Sequence, residues 1–282
     1  MKSAWFMVAS YMSFCTILAT RPCKYFQLNA SYFNPQLGIF SKHDLNARIP
    51  HRWRLRQWRL NELFALANPA HELSFPAFVK PEWGQNAYAV SRVDNMQQLE
   101  SWQALSAEQD WLVQACAHGA REYEIFTLRQ HKDHSACRAM SITEVCNDEH
   151  AYPINSIYNA NTSYIDISER FDKQDRDRLW QYVREIGDFA IARVSVRAHS
   201  REKMLEGDFQ VIEINLFAPM PIHMMDRKYG VVQLAIFIIR YMWMLALLTK
   251  YRDRNQPEYP VFLKSWWYKR HHPLIRYLRA RL

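Results

Sequence analysis

Short apolar segments of strand length recur along this chain, and they constrain its fold more than any other feature. They lie at 75–80, 111–114, 122–128, 189–196 and 209–215. The segment at 122–128 alternates polar and apolar residues for most of its length, as a half-buried strand does. Between the third and fourth segments, residues 172–186 have helical spacing, with Leu179, Tyr182, Val183 and Ile186 on one face. Antiparallel hairpins beside helices predict an α+β fold.

The composition is that of a folded, basic protein. With 282 residues, 49% of them hydrophobic, the chain can bury the core of one large domain or of two smaller ones, which excludes a disordered tail. Lys and Arg outnumber Asp and Glu by 36 to 28, and the net charge of +8 favours anionic partners without choosing among nucleotides, nucleic acid and an acidic membrane. The five cysteines form no Cys-x-x-Cys pair, so we expect reduced thiols in a cytoplasmic protein.

Two long apolar stretches imitate membrane segments. Residues 3–20 carry no charge and follow Lys2, but several polar residues dilute the run and no small-x-small cleavage site precedes Arg21. A buried or membrane-surface helix is the favoured interpretation, and a targeting segment or span remains the alternative. Residues 230–248 contain Gln233 and Arg240. Because an unpaired Arg is costly in a membrane span, we expect a buried helix whose Arg240 is directed to a polar neighbour or a ligand.

Glu213 and Asn215 are candidates for a metal site. They stand two apart on the predicted strand at 209–215, so both side chains share one face. Val211 would complete that row, while Ile212 and Ile214 would point the other way. Mg²⁺ prefers oxygen ligands and is usually held by one or two carboxylates with phosphates and water. The pair therefore indicates a magnesium site, with a solvated strand end as the alternative.

Lys80 is a candidate phosphate ligand. It ends the strand Phe-Val-Lys-Pro, and the loop that follows contains Gly84, Gln85 and Asn86. A lysine fixed beside a loop whose amides can approach a ligand is suited to binding phosphate. The alternative is an edge-strand lysine that protects the sheet against aggregation.

The order of these pieces is more specific than any one of them. Phe-Val-Lys-Pro is followed by Trp-Leu-Val-Gln with Gly-x-x-Glu-Tyr, and then by Ala-Arg-Val with Phe-Gln-Val-Ile-Glu-Ile-Asn. Over roughly residues 73–250 this set resembles the ATP-grasp superfamily, in particular its D-alanine:D-alanine ligase and carboxylate-amine ligase branch.

The resemblance implies two α+β subdomains that clasp a nucleotide. The lid subdomain would cover about 73–113 and the metal-binding subdomain about 114–250. A shortened N-terminal region, 1–72, would precede them, and a basic aromatic tail, 251–282, would follow.

The resemblance also implies a site for ATP. Nucleotide contacts carry over onto Lys80, Gly84, Gln85, Asn86, Gln114, Cys116, Ala117, Glu122 and Arg193. Lys80 would hold the α- and β-phosphates under the Gly84 loop, Glu122 would bind the ribose hydroxyls, and Arg193 would act as the catalytic residue that steadies the transferring phosphate. Gln114, where the family usually has Glu, would read the adenine together with the connector that follows it.

Magnesium and the reaction follow from the same resemblance. Glu213 and Asn215 would hold Mg²⁺, and the expected activity is ATP-dependent ligation of a small-molecule carboxylate to an amine through an acyl phosphate. No nucleic acid partner is expected.

Three departures from the family pattern limit these expectations. Ser195 stands where the family has a metal-binding Asp, Ala89 stands where it has a loop glycine, and the glycine expected after the metal motif is missing from residues 215–219. The loss of the Asp leaves a non-catalytic nucleotide-binding protein, at a membrane surface or on a partner protein, as the alternative function.

Two polar or basic regions complete the expectations. Residues 129–164 are polar and irregular, which indicates a long functional loop that would recognise the acceptor together with the shortened N-terminus. Residues 265–282 mix aromatic and basic side chains, which suits peripheral contact with an anionic membrane as well as packing on the domain. His131, His134, His271 and His272 lack the spacing of metal ligands and are expected on the surface.

Overall fold

The computed structural model describes residues 2–84, 87, 89–102, 110–149, 152–156, 159–253 and 255–262. The predictions for Gln85, Asn86, His271, His272 and the tail beyond residue 262 lie outside the described residues. The side chains of residues 2–4 and 70 are also outside them.

The described elements include four consecutive strands between residues 111 and 166, with helices before and after them, which fits the α+β prediction. The strands are β1 Gln57–Arg59, β2 Ala77–Pro81, β3 Ser91–Val93, β4 Trp111–Ala115, β5 Arg121–Arg129, β6 Cys137–Cys146, β7 Ser163–Asp166, β8 Ile191–Ala198 and β9 Gln210–Asn215. The α-helices are α1 Lys2–Ile17, α2 Lys42–Arg48, α3 Leu60–Phe64, α4 Pro69–Glu72, α5 Met96–Glu100, α6 Lys173–Ile186, α7 Arg201–Glu206 and α8 Val231–Lys250. Short 3₁₀ helices lie at Pro22–Gln27, Ala30–Tyr32, Ser168–Arg170 and Ile222–Met225.

The strands form two antiparallel sheets. The first sheet has the order β1-β4-β2-β3, and the second has the order β7-β6-β5-β8-β9. β1 lies before residue 73, so the region predicted as a shortened N-terminal part contributes a strand to the first sheet. The predicted boundaries between subdomains stay predictions.

Alternation along β5 and β8 divides the second sheet into two different faces. On one face the apolar side chains Ile125, Val194 and Val196 join a large core that includes the buried side of α6. On the other face, β5 presents Glu122 and Glu124 and then Phe126 and Leu128. The two glutamates line a cleft, whereas the two apolar residues pack with α8. One strand face therefore serves both the cleft and a second core.

Helix α6 confirms the helical pattern at 172–186. Asp172 caps its N-terminus by accepting a hydrogen bond from the backbone N–H of Asp175 at 2.8 Å. Leu179, Val183 and Ile186 are buried on the predicted face, and Trp180 is buried beside them.

The prediction of an irregular loop at 129–164 is wrong for a large part of its length. β6 occupies residues 137–146 and pairs with β5 along most of its length, and β7 begins at residue 163. The sequence pattern did not predict β6 because polar residues of this strand are buried: Ser141 and Thr143 are almost inaccessible to solvent. The usual contrast between a polar outer face and an apolar inner face is therefore weak along β6.

The two long apolar stretches form helices that contact each other. α1 packs on α8, with an edge contact between the rings of Phe14 and Trp243 at 5.3 Å. The prediction of a buried helix holds for the C-terminal half of α8 and is wrong for its N-terminal half, where Val231 is 83% and Val232 is 73% exposed. Arg240 is exposed as well.

Candidate functional site

A cleft between the two sheets collects most of the residues that the sequence singled out. Its empty volume is about 1010 Å³, including space open to solvent. Lys80 and Gln114 line it from the first sheet, and Glu122, Arg193, Glu213 and Asn215 line it from the second. Ala117, on the connector between β4 and β5, lines it too. These residues are far apart in the sequence, and the fold brings them to one place.

Some predicted nucleotide contacts lie apart from this group. Gly84 and Cys116 are described by the structure but do not line the cleft. Ala115 and Ala117, on either side of Cys116, do line it. Burial raises the pKa of the Cys116 thiol. Ala87 and Val90, in the segment between β2 and β3, also line the cleft.

Lys80 joins the two sheets. Its ammonium nitrogen donates to Oε1 of Gln114 at 2.8 Å and to the carbonyl of Ile212 on β9 at 3.4 Å. Nε2 of Gln114 donates to the same carbonyl at 3.2 Å. The Lys80 side chain is 5% exposed, and burial lowers its pKa to about 8, against the opposing effect of Glu213. A lysine buried this deeply gains from an anion that enters the cleft.

A bulge in β9 sets the direction of the metal candidates. Ser195 pairs with Glu213, but the next residue, Val196, pairs with Val211, so Ile212 is the extra residue. The prediction that Val211 shares a face with Glu213 is therefore wrong. Val211 is buried in the core with Ile214, while Ile212 lines the cleft beside Glu213 and Asn215.

Glu213 lies within a group of positive charges. The ammonium nitrogen of Lys42, in α2, lies 3.4 Å from Oε1 of Glu213. Burial alone would raise the pKa of Glu213, but Lys42, Lys80 and Arg193 outweigh it and hold that pKa below its usual value. Glu213 is thus an ionised carboxylate at neutral pH, as a ligand of a hard cation must be.

Lys42 was missed by sequence analysis, and its position has a local cause. The side chain of Ser41 caps α2, and its hydroxyl also donates to the buried carboxylate of Glu82, which directly follows β2. These contacts fix the start of α2 against the first sheet and bring Lys42 to Glu213. No spacing pattern in the sequence links residue 42 to residue 213.

Two glutamates on β5 face the cleft and have different interaction partners. Oε2 of Glu122 accepts a hydrogen bond from Nδ2 of Asn155 at 2.7 Å, and burial, with the nearby charge of Glu124, raises the pKa of Glu122 to about 7. Glu124 accepts from the Ser195 hydroxyl at 2.8 Å, and its other oxygen lies 3.1 Å from Nε of Arg193. Burial raises the pKa of Glu124, and Arg193 opposes the increase.

Among the described residues, no group of three His, Cys, Asp or Glu side chains is placed to hold a metal ion. A divalent cation in this cleft would therefore need phosphate oxygens and water beside Glu213 and Asn215. Magnesium is commonly bound in this way. The donor set is all oxygen, so the residues fit Mg²⁺ together with a polyphosphate.

Two antiparallel sheets that hold a polar, charge-balanced cleft between them are the architecture of an ATP-grasp protein, and this chain has that fold. The family model described as "D-ala D-ala ligase C-terminus" matches residues 40–222, well over half of the chain. The chain belongs to this family. A search of curated proteins found no match.

Several solved structures resemble this chain at low sequence identity. The VanG D-Ala:D-Ser ligase from Enterococcus faecalis is 15% identical, with a TM-score of 0.48 over 72% of this chain and 61% of that one. The D-alanine–D-alanine ligase from Bacillus anthracis is 13% identical, with a TM-score of 0.49 over 80% and 69% of the two chains. An L-amino acid ligase from Bacillus licheniformis is 18% identical, with a TM-score of 0.45 over 76% and 47%. The chain thus spans about three fifths of the VanG ligase.

Proposed function

We propose that this protein is a Mg-ATP-dependent ligase that joins a small-molecule carboxylate to an amine. The observation that carries the proposal is the convergence of four residues from three strands on one cleft: Lys80 of β2, Arg193 of β8, and Glu213 and Asn215 of β9. Membership of the D-Ala D-Ala ligase C-terminal family supports the same reaction class.

Each charged group has a defined task in this proposal. Lys80 exchanges its bonds to Gln114 and Ile212 for the α- and β-phosphates of ATP. Glu213 and Asn215 hold Mg²⁺, which neutralises charge on the phosphates when it is bound. Arg193 lies beside them and offsets the charge that develops on the transferring phosphoryl group.

The base and ribose contacts follow along the same wall. Gln114 and the connector with Cys116 and Ala117 meet the adenine, and Glu122 accepts hydrogen bonds from the ribose hydroxyls. The loop after β2, whose Ala87 lines the cleft, would cover the phosphates. Because Gln114 already donates to a carbonyl and accepts from Lys80, binding of the nucleotide requires it to exchange partners.

The reaction proceeds in two steps. An oxygen of the substrate carboxylate attacks the γ-phosphorus of ATP, and ADP leaves, which gives an acyl phosphate. The amine then attacks the acyl carbon, phosphate leaves, and the amine loses a proton.

Isothermal titration of Mg-ATP against three proteins tests the nucleotide site. We expect Lys80→Ala to weaken binding about a hundredfold, because a buried charged contact to phosphate is lost. The matched control is Lys203→Ala, which removes an exposed lysine paired only with Glu206 on α7 and should bind as the wild type does. Equal binding by the Lys80 variant, or no binding by the wild type, contradicts the proposal.

Ligation is tested by phosphate release from ATP with pooled amino acids and small carboxylates. Release that depends on an acceptor supports the ligase. Binding of ATP without such release favours the alternative, a non-catalytic nucleotide-binding protein.

A second candidate function, association with an anionic membrane surface, rests on the outer face of α1 and α8. Trp5 and Ile17 are 75% and 70% exposed, and neither helix contains an acidic residue. Within the described residues α8 is long and apolar enough to cross a membrane by length and composition, and 33% of its most apolar part is buried. Sedimentation with vesicles that contain or lack phosphatidylserine tests this candidate, and equal recovery from both vesicle types, or none from either, would reject it.

A further inference from the structure

Ser195 lies between two glutamates in the second sheet. It pairs with Glu124 on β5 and with Glu213 on β9. Residues directly opposite each other in antiparallel strands place their side chains on the same face, about 5 Å apart at Cβ. All three side chains line the cleft. The strand position where the family has its metal-binding Asp is thus flanked by a carboxylate on each side.

The Ser195 hydroxyl holds one of these carboxylates in place. It donates to Oε1 of Glu124 at 2.8 Å. The Cγ atom of an Asp at residue 195 would lie close to where the serine oxygen lies, so its carboxylate oxygens would extend into the space towards Glu124. The Glu124 carboxylate therefore occupies nearly the region that an Asp carboxylate would fill.

The second oxygen of Glu124 has coordination capacity left. Glu124 is 9% exposed, and its Oε2 forms an ion pair with Nε of Arg193 at 3.1 Å but has no hydrogen-bond partner of standard geometry among the described residues. Nη1 of Arg193 donates elsewhere, to the carbonyl of Met220 at 3.3 Å. The ion pair with Arg193 offsets part of the cost of burying this carboxylate, and a metal ion beside it would offset more.

We propose that Glu124 supplies, from β5, the metal-binding carboxylate that Ser195 no longer supplies from β8. The inference rests on the proposed function. With Glu213 and Asn215 it gives two carboxylates and one amide oxygen, and the phosphates and water complete the shell of the cation. Ser195 acts as a positioning residue, since its hydroxyl orients Glu124. The substitution of Asp by Ser thus relocates a metal contact to the neighbouring strand.

Binding of Mn²⁺ in the presence of a nonhydrolysable ATP analogue, followed by the electron paramagnetic resonance signal of free Mn²⁺, tests the relocation. We expect Glu124→Gln to weaken Mn²⁺ binding about tenfold or more. Adding Ser195→Asp to that variant should return the affinity to within about threefold of wild type, because the carboxylate is restored on the other strand. Glu144→Gln, which removes a carboxylate paired with Arg121, is the control and should bind Mn²⁺ normally.

A second measurement separates metal binding from a purely structural role. If Glu124 only held Arg193, Glu124→Gln would also weaken binding of the analogue in EDTA, where no metal is present. We expect that binding to be unchanged or tighter, since a negative charge near the phosphates is removed. Wild-type Mn²⁺ affinity in Glu124→Gln, or no recovery in the double variant, would overturn the proposal.

The single variant Ser195→Asp keeps the test decisive if Glu124→Gln does not fold. We expect no gain in Mn²⁺ affinity, because Glu124 already fills the space. A tenfold gain would mean that the metal position had been open, and it would refute the relocation. If the wild type binds neither Mn²⁺ nor the analogue, the proposed function itself fails. If the wild type binds both and Glu124→Gln is unaffected, only this inference fails.

Discussion

The cleft and the α1–α8 pair are unusual in opposite ways: the cleft is more charged than an ordinary protein interior, and the helix pair is more apolar than an ordinary protein surface. The cleft buries charge: Lys80, Glu124 and Arg193 lie where solvation is poor. The helix pair exposes apolar side chains, among them Trp5 and Val231, to solvent. Neither arrangement favours the isolated protein. The difference fits the two kinds of ligand proposed above, a polyanion for the cleft and an apolar, anionic surface for the helices.

The largest expected effect concerns the helix pair. Placing two negative charges on its exposed face, as Val232→Glu with Ile236→Glu, should weaken binding to phosphatidylserine vesicles about a hundredfold. Both side chains are exposed, so the unfolding midpoint should not change. The pair Gln174→Glu and Gln181→Glu adds the same charge to exposed positions of α6 and should still bind. If the two double variants lost vesicle binding equally, net charge, and not the apolar face, would govern the association.

The cleft should respond to pH through Lys80. With a pKa of about 8, the charged fraction of this lysine falls from roughly nine tenths at pH 7 to roughly one tenth at pH 9. A neutral amine binds phosphate poorly, so affinity for Mg-ATP should fall about tenfold across this range in titrations at fixed Mg²⁺. Lys80→Arg keeps its charge at these pH values and should give a flatter profile. An unchanged affinity between pH 7 and 9 in the wild type would remove Lys80 from the phosphate site.

Glu122 connects stability with binding. Its pKa is about 7 in the folded protein and near 4.5 unfolded, so the folded form binds more protons between these values and stability falls as pH rises through them. Glu122→Gln removes this cost and should raise the free energy of unfolding at pH 8 by about 1–2 kcal/mol, with little effect at pH 4. The same change should weaken ATP binding about tenfold if Glu122 holds the ribose.

Urea denaturation at the two pH values and titration with ATP check this pair of effects. Gains in both stability and affinity would contradict the assignment of Glu122 to the ribose. The cleft would then resemble an ordinary interior in which removal of charge has no functional cost.

The smallest effect concerns the backbone after the metal motif. Ala218 has φ +48°, in the left-handed region that favours glycine, within the segment where the family's glycine is missing. Ala218→Gly should raise the free energy of unfolding by about 0.5–1 kcal/mol. Ala246→Gly, inside helix α8, should lower it by about 1 kcal/mol. Destabilisation by both variants would show that Ala218 is held by contacts that outweigh its backbone strain.

Local patterns predicted the parts of the fold whose two faces differ. α6 has one buried and one more polar face, and its periodicity was readable. β5 is buried on both faces from Tyr123 onward, but Glu122 and Glu124 alternate with apolar residues and made the strand readable. β6 buries polar residues and gives no such signal. The bulge at Ile212 has no signature in the sequence either, which is why the side assigned to Val211 was wrong.

For the site, the sequence supplied the residues that carry motifs and missed those that act through pairing. Lys42 reaches Glu213 through the packing of α2 against both β1 of the first sheet and β9 of the second. Glu124 is different, because it lies two residues after Glu122 on the same strand and therefore had to share its face. The spacing alone would have identified Glu124 if the pairing of β5 with β8, which places it opposite Ser195, had been known.

The hydrogen bonds of Lys80 and Gln114 to the Ile212 carbonyl bear on which ligands the cleft can admit. They connect the sheets where a triphosphate would lie, so an entering ligand must replace both interactions before it gains any of its own. ATP can repay that loss through its negative charges, whereas adenosine offers only a base and a sugar. If the cleft binds ATP as proposed, this connection would disfavour nucleosides without any contact dedicated to rejecting them.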